Sequence, residues 1–199
     1  MLWKELHNKI GLCFSPGGKY LASASHEVFL WDVRKGQLVK QFPNREEQII
    51  SIAITPDNKY LVAGGQNLFM WEIEMGSEML QIPESPDVIM DVALSSDGRL
   101  LATAELFGGV HLWDMQTKEA LIVFEEFSGI SHFVSFAQND TVLISAGEDK
   151  TIRLWNLLTF ELIQEIEIKQ GISDMAIHPS GNLIASCSGE QYIKLWELK

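Results

Sequence analysis

Cysteine occurs only twice in this 199-residue chain, at Cys13 and Cys187, with no CxxC spacing. Two isolated thiols exclude a disulfide framework and a cysteine zinc site, and they fit a reducing compartment. The five histidines, His7, His26, His111, His132 and His178, show no i, i+2 or i, i+4 pairing, so no local metal motif forms. A P-loop, a nucleophile elbow and HExxH are all absent, which removes the nucleotide and hydrolase chemistries most easily seen in a sequence. No cofactor or metal is expected. No run of eighteen apolar residues and no charged-then-apolar N-terminal signal is found, so a soluble cytoplasmic protein is expected.

Positive charge is also scarce. The formal net charge is −12, and residues 1–60 carry eight Lys or Arg against six Asp or Glu, leaving seven against twenty-one beyond them. An acidic surface of this kind repels phosphate backbones and anionic lipid, which argues against nucleic acid or membrane as a partner. It also keeps a repetitive chain soluble.

What the chain has in quantity is repetition. The segment Val28 to Val33, VFLWDV, returns as LFMWEI from Leu68, VHLWDM from Val110, IRLWNL from Ile152 and IKLWEL from Ile193. Their tryptophans, Trp31, Trp71, Trp113, Trp155 and Trp196, stand 40, 42, 42 and 41 residues apart. The large aliphatic residues three and one before each Trp share one face of an extended strand, and the Trp falls on the other. A strand apolar on both faces must be buried on both, as between stacked sheets. A Trp-Asp dipeptide at this period marks a four-stranded propeller blade.

Each repeat has a second fixed point, a hairpin turn after a short apolar strand: FSPGGKYL from Phe14, ITPDNKYL from Ile54, LSSDGRLL from Leu94, FAQNDTVL from Phe136 and IHPSGNLI from Ile177. Pro, Asp, Asn and Gly there supply the fixed and left-handed conformations of a tight turn. Strands rich in small residues follow, such as LASAS, LVAGG and IASCS, and let sheets approach closely. Cys13 and Cys187 occupy registers held elsewhere by Ala, Ser or Gly and read as small core residues. The turn into the Trp strand is two residues shorter in the first two repeats than in the last three. A fourth strand follows each Trp strand, as in QLVKQF, EMLQI, ALIVF and ELIQEI.

With five copies agreeing in several registers, the chain resembles the WD-repeat family along its whole length. The fold expected is all-β: one β-propeller domain over 1–199, with repeat units at about 1–33, 37–73, 78–115, 120–157 and 161–198. Propellers of this family close by strand exchange, so the resemblance implies that Leu2 to Leu6 pairs with Tyr192 to Leu198 in a five-bladed ring, a monomer when closed. Closure also has a physical motive, since an open array leaves an apolar blade face and an unpaired edge in water. A larger propeller, or one completed by a second chain, is the alternative.

The resemblance implies a non-catalytic scaffold that holds a partner protein or peptide on its loop-rich rim. Full repeats of the family carry a His, an Asp, a Ser or Thr and the Trp in a hydrogen-bonded tetrad. Only the fourth repeat comes near it here, with Ser145, Asp149 and Trp155 and no His, and Asp149 reads as a turn-former. For the rim the resemblance implies His26, Glu148 and Glu190 from the turns, and Arg45, Glu47, Asp87 and His132 from the loops. This acidic and polar set suits a basic or mixed peptide. Phe107, with Leu106 beside it, stands in the register of Asp149, where it is either an interface anchor or folds back over a blade edge. Asp91 and Asp174 share a register on first strands and could line a channel. The rival reading, a small-molecule or hydrolytic enzyme, would use them as its acids. A third reading makes the chain a regulatory piece of a larger WD-repeat protein.

Overall fold

The structure, a computed structural model, describes residues 11–43, 48–82, 87–107, 109–125, 129–188 and 192–198. All regular structure among them is β-strand, arranged as five antiparallel sheets with the strand pattern of propeller blades. The first sheet is β1 (Gly11–Phe14), β2 (Tyr20–Ala24), β3 (Val28–Asp32) and β4 (Gln37–Phe42), and the second is β5 (Ile49–Ile54), β6 (Tyr60–Gly65), β7 (Leu68–Glu72) and β8 (Glu78–Ile82). The third is β9 (Ile89–Leu94), β10 (Leu100–Glu105), β11 (Val110–Asp114) and β12 (Glu119–Phe124). The fourth is β13 (Ser131–Ala137), β14 (Val142–Gly147), β15 (Thr151–Asn156) and β16 (Leu162–Glu167). The fifth has three described strands, β17 (Ile172–Ile177), β18 (Leu183–Ser188) and β19 (Lys194–Glu197). The closing strand expected at Leu2 to Leu6 lies outside the described residues. The chain forms two compact units, Met1–Val92 and Ala93–Lys199.

The turns follow from their residues. Gly18, Asn58, Gly98 and Gly181 hold positive φ at one shared position of the first hairpin, where Gly and Asn meet little steric penalty. The hydroxyls of Ser15, Thr55 and Ser95 accept the N–H groups of Tyr20, Tyr60 and Leu100 at 2.9–3.0 Å and close the same loop. Hydrogen bonds from the Arg99 N–H and the Ser95 hydroxyl hold the Asp97 carboxyl below its usual range. In the fourth repeat Gln138, Asn139 and Asp140 all take positive φ, and Asp140 Oδ2 accepts the Ser96 N–H at 2.8 Å.

The residue after Trp31, Trp113 and Trp155 organises the next turn. Asp32, Asp114 and Asn156 accept backbone N–H groups two or three residues ahead at 2.7–3.1 Å. Their short side chains mimic a turn of backbone, which is the physical content of the Trp-Asp pair. Opposite each Trp, from Trp31 to Trp155, the register slips, and the fourth strand carries one extra residue, Val39, Met79, Leu121 or Ile163. Nothing in the repeat spacing announces these bulges.

The tryptophans are fixed by their N–H groups. Trp31, Trp113, Trp155 and Trp196 donate to Ser23, Thr103, Ser145 and Ser186 at 2.9–3.1 Å. The second sheet has Ala63 in that register, and the buried Trp71 Nε1 finds no partner among the described residues. A buried donor left unpaired costs on the order of 1–3 kcal/mol. Ala63→Ser is therefore expected to raise stability by about 1 kcal/mol in urea titrations followed by tryptophan fluorescence. An unchanged or lowered midpoint would show that the hydroxyl cannot be accommodated there.

The core lies between sheets. One cluster joins Val28 and Leu30 to Ile52 and Ile54, a second joins Val110 and Leu112 to Val134, and a third joins Ile152 and Leu154 to Met175. Small residues permit this approach, since a Cβ on Gly64 would lie 2.4 Å from Ile89 Cγ2. Cys13 packs partly buried against the first cluster, and burial pushes its thiol up to about 12. Cys187 is likewise only partly buried.

Candidate functional site

The best-built part of the expected rim is on the fourth sheet, where β13 and the turn between β14 and β15 meet. A register shift between Ser131 and Phe133 leaves His132 unpaired with β14, and such bulges re-aim a side chain. His132 Nε2 lies 3.4 Å from Glu148 Oε1. The Glu148 backbone is held on the other side, because its N–H donates to the Ile130 carbonyl at 2.9 Å. Gly147 permits that contact, since a Cβ there would stand 2.1 Å from Ile130 O. Glu148 is thus exposed on a fixed backbone. Two residues assigned to the rim from sequence, one from a loop and one from a turn, come together here.

Next to Glu148 lies a group that the sequence reading reached only in part. Asp149 accepts the Thr151 N–H at 3.2 Å and the Thr151 hydroxyl at 2.8 Å, as a turn-former should. Its second oxygen pairs with buried Arg153 at 2.5 Å, and Arg153 also reaches Glu165 at 3.0 Å. The pairing follows from strand alternation: Arg153 and Glu165 are partners in the β15–β16 register, so both project to one face. The sequence carried this signal, since the registers of Arg153 and Glu165 could have been matched.

Phe107 is 75 % exposed, on the turn after β10, with Leu106 half-buried beside it. The described ends of that turn are held close: Gly109 has φ +81, its carbonyl accepts the Glu105 N–H at 2.9 Å, and a Cβ on it would lie 2.3 Å from Phe124 O. His26 is exposed on the shorter turn of the first sheet, its Nδ1 3.4 Å from Ser25 Oγ. Asp87 is half-buried and accepts the Val88 N–H at 2.9 Å. Arg45, Glu47 and Glu190 lie outside the described residues.

The two aspartates assigned to a channel have separate surroundings. Asp91, in the first unit, accepts the Ser51 hydroxyl at 2.8 Å and the Val92 N–H at 2.9 Å. Asp174, in the second unit, is exposed and accepts the Met175 N–H at 2.8 Å. Among the described residues, no three His, Cys, Asp or Glu side chains gather as metal ligands would.

The family model described as "WD domain, G-beta repeat" matches residues 5–32, 121–156 and 160–197, just over half of the chain. The chain belongs to the WD-repeat family. No curated protein matches it. WD-repeat domains generally bind other proteins and are typically non-catalytic.

The third sheet of this WD-repeat chain brings together residues akin to those of the family tetrad. In the third sheet Trp113 donates to Thr103, and the Thr103 hydroxyl donates to Glu105 at 3.3 Å. His111 Nε2 lies 3.4 Å from Glu105 Oε2, and its ring stacks on Trp113. Here the acid ends the second strand and the His comes from the Trp strand itself. In the fourth sheet Arg153 takes the place of a His beside Asp149.

Proposed function

We propose that this WD-repeat chain is a non-catalytic cytoplasmic scaffold that binds a basic or mixed peptide segment of a partner protein on its turn-rich rim. The observation that carries the proposal is Phe107, a large aromatic exposed on the turn after β10, whose ends are joined by the Glu105–Gly109 hydrogen bond. An exposed aromatic buries much area at little entropic cost, which is the character of an interface anchor. Glu148, exposed on its own pinned turn, supplies an acidic contact of the sign a basic segment would meet.

Phe107→Ser tests this by affinity capture beside the native protein, with circular dichroism confirming that the variant is folded. The variant should lose a captured partner protein, with affinity for it falling at least about thirtyfold, the effect of removing about 2 kcal/mol. Glu148→Lys should weaken the same partner, and the loss should shrink as salt rises. Equal capture by native and Phe107→Ser protein would remove Phe107 from the site.

A further inference from the structure

The turn between β15 and β16 breaks a pattern set by the other sheets. One shared position takes positive φ in the four described turns of this kind, with Gly36 at 62°, Gly76 at 73°, Lys118 at 64° and Phe160 at 60°. Glycine fits that conformation freely, whereas a bulky aromatic is disfavoured there. Two residues earlier the other turns carry Arg34, Glu74 and Gln116, and this one carries Leu158, which is 88 % exposed. The fourth sheet thus holds an aromatic in a strained backbone conformation, beside an aliphatic side chain almost wholly in water.

The strand that follows extends this surface. Among the described residues β16 is the last strand of its sheet, bonded to β15 on one side, so alternate backbone N–H and C=O groups point outward. Ile163, the extra residue of its bulge, is 52 % exposed, and alternation sets Glu165 and Glu167 on the same face. Edge strands are commonly guarded by lysine. β4 has Lys40, whose Nζ donates to the Ile73 carbonyl at 2.8 Å, and Gln164 stands in its register on β16. Glu161, Glu165 and Glu167 occur along this stretch with no lysine or arginine between them, while Lys150 and Lys169 come only past its far end. β13 of the same sheet touches β10 and β17, all within Ala93–Lys199, so the surroundings of β16 are set inside one unit.

We propose that β16 is a second docking edge, which takes an extended segment of a partner protein that alternates basic and apolar residues. The segment adds a strand to the sheet: its apolar side chains cover Leu158, Phe160 and Ile163, and its Lys or Arg side chains meet Glu165 and Glu167. Main-chain bonding supplies the affinity of such strand addition, and alternate side chains supply its selectivity. A second copy of this chain is the poorer occupant, because β16 against β16 sets the glutamates of both copies together. The edge is separate from the rim of Phe107 and Glu148. The Glu148 turn and the Phe160 turn lie at opposite ends of β15, a strand of 6 residues that spans about 20 Å.

The test is an array of short peptides alternating Lys or Arg with Val, Ile, Leu or Phe, probed with the native chain, the best binders then being titrated by fluorescence anisotropy. Matched peptides with Glu in place of Lys and Arg should bind at least about tenfold more weakly. N-methylation of one alternate set of peptide amides should abolish binding and of the other set should not, since only one set faces β16. Leu158→Gln/Phe160→Gly, which installs the residues of the sibling turns, should lose at least about tenfold in affinity. Its urea midpoint should be no lower than the native one, because glycine relieves the strain of Phe160. Ile163→Lys should weaken the same peptides, and Phe107→Ser should bind them as the native chain does. No binding by the native chain, equal binding by Leu158→Gln/Phe160→Gly, or equal effects of the two N-methylated sets overturns the proposal. Binding lost with Phe107→Ser alone moves the peptides to the rim, and native dimers broken by Ile163→Lys assign the edge to a second copy; either result overturns it too.

Discussion

Asp149→Ala is expected to cost about 3 kcal/mol of stability, measured by urea unfolding with tryptophan fluorescence. The loss of one turn-forming hydrogen bond would cost about 1 kcal/mol. The larger figure follows from Arg153, whose side chain is only 8 % exposed and pairs with Asp149, itself 3 % exposed. Removing the carboxylate leaves a desolvated guanidinium that has lost its most buried acid, with Glu165, which is more open to water, still beside it. Glu165 keeps the expectation at the low end of the 3–5 kcal/mol typical of broken buried pairs. The Asp149→Ala/Arg153→Met double variant should recover much of the loss, because it removes the stranded charge and keeps the apolar stem. A single-variant loss below about 1 kcal/mol would mean that Arg153 reaches water without Asp149.

Gly147→Ala is expected to cost at least about 3 kcal/mol, the upper end of overpacking penalties. The obstacle is backbone, since the new methyl would stand 2.1 Å from Ile130 O, 3.1 Å from Ile130 C and 3.1 Å from Ser131 Cα. No side chain can rotate away to relieve it, so β13 and β14 must part. Gly17→Ala is the control, because nothing lies within 4 Å of a Cβ there, and it should change stability by no more than about 0.5 kcal/mol. Equal effects at the two glycines would show that the β13–β14 contact yields easily. Gly147 and Asp149 flank Glu148, so either variant should also loosen its approach to His132 and weaken partner binding beyond what global stability explains.

Much of the architecture was legible because the repeats check one another. The Trp strands, the small-residue strands and the hairpins fall where the spacing put them, with Gly18, Asn58, Gly98 and Gly181 taking the left-handed position. The indole partners were written in the same register, as Ser23, Thr103, Ser145 and Ser186, with Ala63 as the exception. Less of the candidate site could be read. That His132 and Glu148 meet depends on a register shift, and a bulge leaves no periodic mark on a sequence. The Glu105–His111 contact was hidden for a related reason, because both residues occur once in registers that other repeats fill differently.

The sequence by itself determined the local chemistry: which strands are apolar on both faces, where each turn needs a left-handed residue, and where a hydroxyl stands in register to receive an indole. These follow from spacing within one repeat, where alternation and turn stereochemistry act over a few residues. Tertiary structure decided what depends on distance through space. It set how near Gly147 comes to Ile130, and that Arg153 is buried against Asp149 and Glu165.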